Sequence, residues 1–405
     1  MNNDELLTTI FESTLGSTQL TGTITEVIPP TNSIEERSDS GLRRNQSGDI
    51  TFTTRNVNQT KESIDYHAQL VRYDPHTKTT PVVLTDTVQL PHHIGHYDNI
   101  TSQYPGNRWE EAHLGALLEY DFVAANVVVA RSVAFPADFA KWNSFSRVCT
   151  STMHPQVPAR GQVVFYQLES GKTTPVRKQV FDLTGLYYQH AISHADQPEV
   201  LRSLNLSPED IPVIQEMIRG QYPSQNSSSW PGLSMDSHTA MSYDPIAKTV
   251  LLKHNSRGCF HQKDFYQTLE IKEGKIHHDF TSYKKDEPAP LAERMKVLNQ
   301  ERNQQNTNPE DLQVVHSRNA IMLQRQDQQS ENSQPLASLR EYDIDFDYKL
   351  RLTLASPWRG DLAPIPLSEH QPYFVRRDSG PLLQASPTQY LFELLGRVYR
   401  LDVEQ

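Results

Sequence analysis

The sequence predicts an α+β fold: antiparallel sheets built from hairpins, interspersed helices, and a C-terminal helix that docks on the body of the protein. Three observations predict this class. Short runs that alternate apolar and polar residues are separated by turn residues. Elsewhere, apolar residues at helical spacing follow helix-capping signals. Strand-like runs and helical blocks do not alternate one by one, which argues against a doubly wound parallel sheet.

The organisation along the chain predicts four consecutive segments. The first is a flexible arm, because residues 17–48 are rich in Ser, Thr, Asn and charged residues and offer few apolar anchors. The four segments are a flexible N-terminal arm (1–48), a β-meander plus helical segment (49–160), an α+β domain (161–328), and a long strand with a Pro-rich crossover and C-terminal helix (336–405).

Alternating apolar residues predict the strands. A meander is expected first, and then two sets of hairpins separated by helices. The predicted strands are Asp49–Val57, Ser63–Tyr73, Thr80–Leu90, Gly161–Leu168, Pro175–Phe181, Thr249–His254, Phe265–Ile271 and Ile276–Tyr283.

Helical spacing and caps predict the helices. The stretch Asn107–Phe145 has a helical pattern, although its Val-rich part, Phe122–Ala134, also fits a buried strand, and periodicity alone does not decide between them. A capped helix starts at Ser207-Pro208. Two more are expected at Leu291–Gln304 and from Asn308 to about Gln326.

The last segment combines a strand with a helix. Strict alternation over Tyr342–Leu354 predicts a long antiparallel strand with one wet face. Ser386 and Pro387 form a helix-start signal, and Tyr390 and Leu394 open a stripe of apolar residues four apart. A short helix is marginal in water by itself, so this one is expected to bury its stripe against the body.

Charge and composition exclude several classes. The 405 residues contain 38 Lys and Arg against 49 Asp and Glu, a formal net charge of −11. Such an acidic chain argues against nucleic acid as a partner, because phosphate binding needs clustered cations. The longest apolar stretch is too short to span a bilayer. We therefore expect a soluble protein with a protein partner and leave its oligomeric state open.

The cysteines and the N-terminus indicate the compartment. Cys149 and Cys259 are the two cysteines of the chain, too few for a disulfide scaffold. The N-terminus has no basic segment before an apolar run and so lacks a Sec signal peptide. The predicted location is cytoplasmic, or outside the cell after export by a route that needs no signal peptide.

A candidate catalytic thiol lies at Cys259. His254 and His261 flank it in sequence, and a nearby imidazole would favour the nucleophilic thiolate. Gly258 permits a tight turn that would expose the sulfur atom. A cysteine at a strand end beside ordinary surface histidines explains the same residues.

A candidate metal site lies at His190 and His194. They have the i, i+4 spacing that places two imidazoles on one helix face, and Asp196 follows two residues later. The general-base glutamate of the His-Glu-x-x-His motif is missing, so metalloprotease chemistry does not follow from these residues. The sequence contains no nucleotide-binding motif, and the cofactor is left unknown.

Two functional classes compete, and the sequence leaves open whether the protein is an enzyme. The first is a non-enzymatic interaction or structural protein. It is either a secreted bacterial effector that acts in a host cell, and so a virulence protein, or a virus structural component. It rests on the polar arm, the polar linkers and the absence of catalytic motifs. The alternative is a cysteine-dependent hydrolase or transferase that uses Cys259 with a nearby histidine.

Overall fold

The computed structural model describes most of the chain between Thr21 and Glu404, with gaps. The described residues are 21–27, 41–45, 47–59, 63–91, 115–134, 145–147, 153–155, 160–204, 206–218, 240–255, 263–272, 275–284, 289–305, 312–316, 320–325, 334–341, 349–366, 382–394 and 397–404.

Strands dominate this part of the chain. In chain order they are β1 (Thr21–Glu26), β2 (Arg43–Arg44), β3 (Ile50–Gln59), β4 (Ser63–Tyr73), β5 (Val82–Pro91), β6 (Gly115–Ala124), β7 (Val127–Ala134), β8 (Phe145–Arg147), β9 (Met153–Pro155), β10 (Arg160–Gln167), β11 (Arg177–Asp182), β12 (Ala240–Asp244), β13 (Thr249–Asn255), β14 (Lys263–Lys272), β15 (Lys275–Lys284), β16 (Leu312–His316), β17 (Ala320–Arg325), β18 (Gln334–Glu341), β19 (Lys349–Leu354), β20 (Ile365–Pro366), β21 (Leu383–Ser386), β22 (Gln389–Leu394) and β23 (Arg397–Glu404). The helices are α1 (Leu183–Ser193), α2 (Pro198–Ser203), α3 (Asp210–Ile218) and α4 (Pro290–Gln305).

The strands pair into small antiparallel sheets. Four sheets have four strands each, in the orders β1-β23-β22-β21, β2-β3-β4-β5, β11-β10-β7-β6 and β12-β13-β14-β15. A five-stranded sheet has the order β16-β17-β18-β19-β20, and β8 pairs with β9. The prediction of antiparallel sheets built from hairpins is confirmed. The described chain is nevertheless mostly β with a few short helices, rather than an even α+β mixture.

The chain divides into two compact units, and each draws on more than one of the four segments predicted from sequence. Unit 1 comprises the described residues of 1–44, 73–80 and 305–405, and unit 2 those of 45–72 and 81–304.

Unit 2 is built around the sheet β11-β10-β7-β6, which has apolar side chains on both faces. Successive residues of a strand point to opposite faces, so the Val-rich β7 supplies both. On one face Val128 and Ala130 pack against Leu70 of β4 and Leu84 of β5. On the other face Val129 packs into a larger core, which helices α1 to α3 and the sheet β12-β13-β14-β15 complete.

Helix α4 covers the far face of the sheet β12-β13-β14-β15. Met295 and Leu298 of the helix are buried against Leu251 of β13 and Tyr266 of β14. Unit 2 thus contains two main apolar cores, one on each face of the sheet β11-β10-β7-β6.

An ion pair fastens α4 to the turn between β12 and β13. Arg294 donates from Nε and Nη2 to the buried carboxylate of Asp244, at 2.6 and 2.8 Å. The backbone N–H groups of Ile246 and Ala247 also donate to Asp244. The hydrogen bonds from Arg294 hold the pKa of Asp244 at about 2, although burial of the carboxylate opposes this shift.

Replacing Arg294 with alanine is expected to lower the free energy of unfolding of unit 2 by about 2 kcal/mol, because a charge-assisted bidentate contact is lost and Asp244 stays buried. Urea unfolding measures this change. Lys296→Ala is the matched control on the same helix, since Lys296 is exposed and lies 3.9 Å from an exposed Glu293. Equal effects of the two variants would contradict the structural role of Arg294.

Unit 1 contains a strand from the predicted flexible arm. Strand β1 pairs with β23 along its whole length, from Thr21 opposite Glu404 to Glu26 opposite Tyr399. On its other side the N–H of Ile24 donates to the carbonyl of Arg359 at 2.8 Å. Residues 21–26 of the predicted flexible arm therefore form a paired strand, whereas its residues 1–20 and 28–40 lie outside the described part.

The predicted C-terminal docking helix is wrong. Its residues form β21, β22 and β23, which pair in consecutive order. Tyr390, Leu391 and Phe392 are all buried. A strand buried on both faces has no period-two pattern, so its apolar residues also match helical spacing. Gly396 lies within the predicted helix, and glycine is a poor helix-interior residue.

Two other predicted helices are also strands where the structure describes them. Within Asn107–Phe145, residues 115–134 form β6 and β7, so the alternative of a buried strand, which covered Phe122–Ala134, is correct. The predicted helix from Asn308 contains β16 and β17, which pair antiparallel. Their β-branched residues favour strands.

The remaining helix predictions and the hairpin predictions hold. The predicted meander corresponds to β3, β4 and β5, and the hairpins to β10 with β11 and to β13, β14 and β15. The helix predicted at Leu291–Gln304 is α4, and the capped helix after Ser207 is α3. Residues 349–354 of the predicted strand Tyr342–Leu354 form β19, and residues 342–348 lie outside the described part.

No helix in the described ranges has the length and apolarity needed to cross a bilayer.

Candidate functional site

The predicted catalytic residues are only partly within the described chain. Cys259 and His261 lie outside it, whereas His254 is at the end of β13. The structure therefore does not test whether the three residues meet, and the thiol site stays a prediction.

His254 is completely buried in unit 2. Its Nε2 atom lies 3.1 Å from Oε1 of Gln267 on β14, the strand paired with β13. The pKa of His254 is lowered to about 4, chiefly by burial and also by nearby Arg131, while the hydrogen bond with Gln267 opposes the shift. His254 is therefore neutral at physiological pH and lies away from solvent.

Arg131, whose charge acts on His254, belongs to a polar cluster that was not predicted from the sequence. Arg131 of β7 is buried and donates from Nε to Glu119 of β6 at 3.2 Å. Glu119 also accepts the backbone N–H of Met241 at 2.7 Å, so it joins β6 to β12. Nη1 of Arg131 and Nε2 of Gln267 are buried without a hydrogen-bond partner. The signal in the sequence was a charged residue inside the Val-rich run of β7.

A second carboxylate also joins β6 to β12. Asp121 accepts the backbone N–H of Tyr243 at 3.2 Å and a hydrogen bond from Arg302 of α4 at 2.8 Å. The carboxylates of β6 therefore take part in holding the sheets of unit 2 together.

The predicted metal ligands occupy the end of α1. The rings of His190 and His194 lie 4.3 Å apart between centroids, and His278 of β15 lies 6.1 Å from His190. Phe280 packs beside His190 at 5.2 Å. The structure thus adds His278 to the predicted pair, whereas Asp196 is exposed beyond the helix.

The metal site predicted at His190, His194 and Asp196 stays a prediction. In the described residues no group of three or more His, Cys, Asp or Glu side chains is arranged to hold a metal ion. Nδ1 of His194 is 2.8 Å from the backbone carbonyl oxygen of His190, so this ring nitrogen of His194 already has a hydrogen-bond partner. Burial lowers the pKa of His190, and His194 and His278 lower it further. Burial also lowers the pKa of His278.

Strand β11 presents exposed apolar side chains at the edge of its sheet. Val180 is 45% exposed, and Val176, just before the strand, is 59% exposed. Six consecutive residue pairs join β11 to β10 without a bulge. Regular edge strands with exposed apolar residues are sites where a further strand can add.

An ionic network holds this edge in place. Lys178 of β11 donates to both carboxylate oxygens of Asp86 on β5, at 2.7 and 2.8 Å. The hydroxyl of Tyr166 on β10 donates to the same carboxylate at 2.6 Å. Alternation in the sequence predicted the hairpin but not that its outer strand would be an exposed edge, because edge position depends on sheet order.

Comparison with known proteins found no matching family model, no similar curated protein and no similar solved structure.

Proposed function

We propose that the chain is a non-enzymatic interaction or structural protein that acts by binding a protein partner. The observation that carries this proposal is the exposed, regular edge of β11 with Val176 and Val180 beside it. Strand addition at such an edge gains main-chain hydrogen bonds and covers the exposed side chains.

The ionic contacts of unit 2 also support a structural role. Three carboxylates, each paired with a Lys or Arg, join elements that are separate in sequence: Asp86, Asp121 and Asp244. Such contacts fix the positions of strands and helices relative to one another. A rigid scaffold that binds a partner needs this kind of contact. A secreted effector that acts in a host cell and a virus structural component are the two settings we propose for it.

Thiol reactivity tests this proposal against the cysteine-enzyme alternative. We expect iodoacetamide at neutral pH to label Cys259 at a rate within about tenfold of Cys149, because an ordinary thiol has a pKa near 8.5. Mass spectrometry of the two cysteine peptides measures both rates in one sample, so Cys149 serves as the internal control.

Selective labelling of Cys259 at pH 6 would contradict the proposal. It would show a stabilised thiolate, the requirement of a cysteine nucleophile. Loss of that selectivity in a His261→Gln variant would then identify the histidine that favours the thiolate.

A further inference from the structure

The outer strand β11 carries a self-complementary row of side chains on one face. Lys178, Val180 and Asp182 are alternate residues and so point to the same side of the sheet. They lie opposite Tyr166, Val164 and Gln162 of β10. Along the strand the row reads cation, apolar residue, anion.

A two-fold axis perpendicular to the sheet would make this row pair with itself. Such an axis keeps the two faces of a sheet distinct, so a residue pairs with one of the same face in the second copy. With the axis at Val180, the valine meets its equivalent, and Lys178 of each copy lies opposite Asp182 of the other. Opposite charges on directly paired residues favour an antiparallel strand pair.

We propose that β11 pairs antiparallel with β11 of a second copy of this chain, with Val180 at the two-fold axis. The two sheets β11-β10-β7-β6 then join into one continuous eight-stranded sheet. This inference rests on the proposed function, since it names the partner of an interaction protein.

The surroundings of β11 fix the strand in a conformation ready to pair. The ammonium group of Lys178 is bound to Asp86, which defines the position of the side chain. Because a lysine ammonium has three N–H donors, one donor remains for a second carboxylate. On the opposite face Phe181 packs edge-to-face against Phe165, with ring centroids 5.7 Å apart. Asp182 caps α1 by accepting the N–H of Gly185 at 3.0 Å, which orients its carboxylate.

Val180→Lys tests the pairing, because it places two ammonium groups opposite each other at the axis. Sedimentation equilibrium of the full chain is expected to give the mass of two chains for the wild type and of one chain for Val180→Lys. Ile246→Lys is the matched control: Ile246 is 82% exposed on the turn between β12 and β13, outside the pairing. It is expected to leave the dimer intact.

A cysteine at position 180 tests the register. Directly opposed residues have Cβ atoms about 4.5–5.5 Å apart, so Val180→Cys is expected to form an intermolecular disulfide under mild oxidation. Wild-type protein in the same oxidant gives the background from Cys149 and Cys259, and Ile246→Cys gives the background of an exposed added cysteine. A 180–180 disulfide peptide, identified by mass spectrometry, would support the register.

A monomeric wild type, a dimer that survives Val180→Lys, or no 180–180 disulfide above the controls would each overturn the inference. None of these results bears on the thiol reactivity of Cys259, so the failure of the dimer and the failure of the proposed function are distinguishable.

Discussion

Replacing Gly360 with alanine is expected to destabilise unit 1 by about 4 kcal/mol, since overpacking and the loss of two backbone hydrogen bonds add together. An added Cβ at Gly360 would overlap the carbonyl oxygen of Ile24. Relief of that overlap requires residues 358–360 to move away from β1. The hydrogen bonds from Ile24 N to Arg359 O and from Arg359 N to Gly22 O, at 2.8 and 3.0 Å, would then break.

Hydrogen exchange at the Ile24 amide measures this effect directly, because the amide is one of the groups released. Protection of Ile24 is expected to fall in Gly360→Ala, together with the melting temperature. Gly185→Ala is the matched control: its added Cβ meets nothing closer than 3.5 Å, and alanine suits the helix α1. Wild-type protection of Ile24 in Gly360→Ala would show that residues 358–360 do not hold β1.

Acidification from pH 6.5 to 4 is expected to destabilise unit 2 by about 3 kcal/mol through His254 alone, at 1.36 kcal/mol per pKa unit. His254 has an ordinary pKa of 6.5 and a folded-state pKa of about 4. The unfolded chain therefore binds the proton more readily than the folded chain. The stabilisation is present above pH 6.5 and is lost as the pH falls towards 4. His190 and His278, whose pKa values are also lowered, contribute in the same direction.

Urea unfolding at several pH values between 7 and 4 measures this dependence. A His254→Phe variant is expected to be less stable at pH 7, because Gln267 loses its partner, but its stability should fall less steeply with acid. His277→Gln is the control, since His277 is an exposed neighbour of His278 on β15. A slope in His254→Phe as steep as that of the wild type would mean that His254 does not remain neutral in the folded protein.

The sequence predicted hairpins better than helices, because hairpin signals involve residues close together in the chain. The hairpin of β10 and β11 has alternating residues on both sides of Glu169-Ser170-Gly171-Lys172, and Gly171 adopts a positive φ of 80° in that turn. Turn chemistry and period-two alternation depend on near neighbours, so a single sequence carries them. The Val-rich β7 has no alternation, because both of its faces are buried.

In the candidate sites, too, contacts between near neighbours in the sequence were predictable and contacts between distant residues were not. Helical spacing correctly brought His190 and His194 together, but His278 joins them from a strand more than eighty residues away in the sequence. Arg131 and Gln267 were missed because their significance depends on which strands face each other across the core of unit 2.

The sequence by itself determined the antiparallel hairpins, helix α4 and the acidic character of the chain, since these depend on neighbouring residues or on composition. Only the tertiary structure decided that the C-terminal residues are strands, that β1 pairs with β23, and that β11 is an exposed edge. Burial on both faces removes the periodicity that distinguishes a strand from a helix, and strand order depends on contacts between residues far apart in the chain.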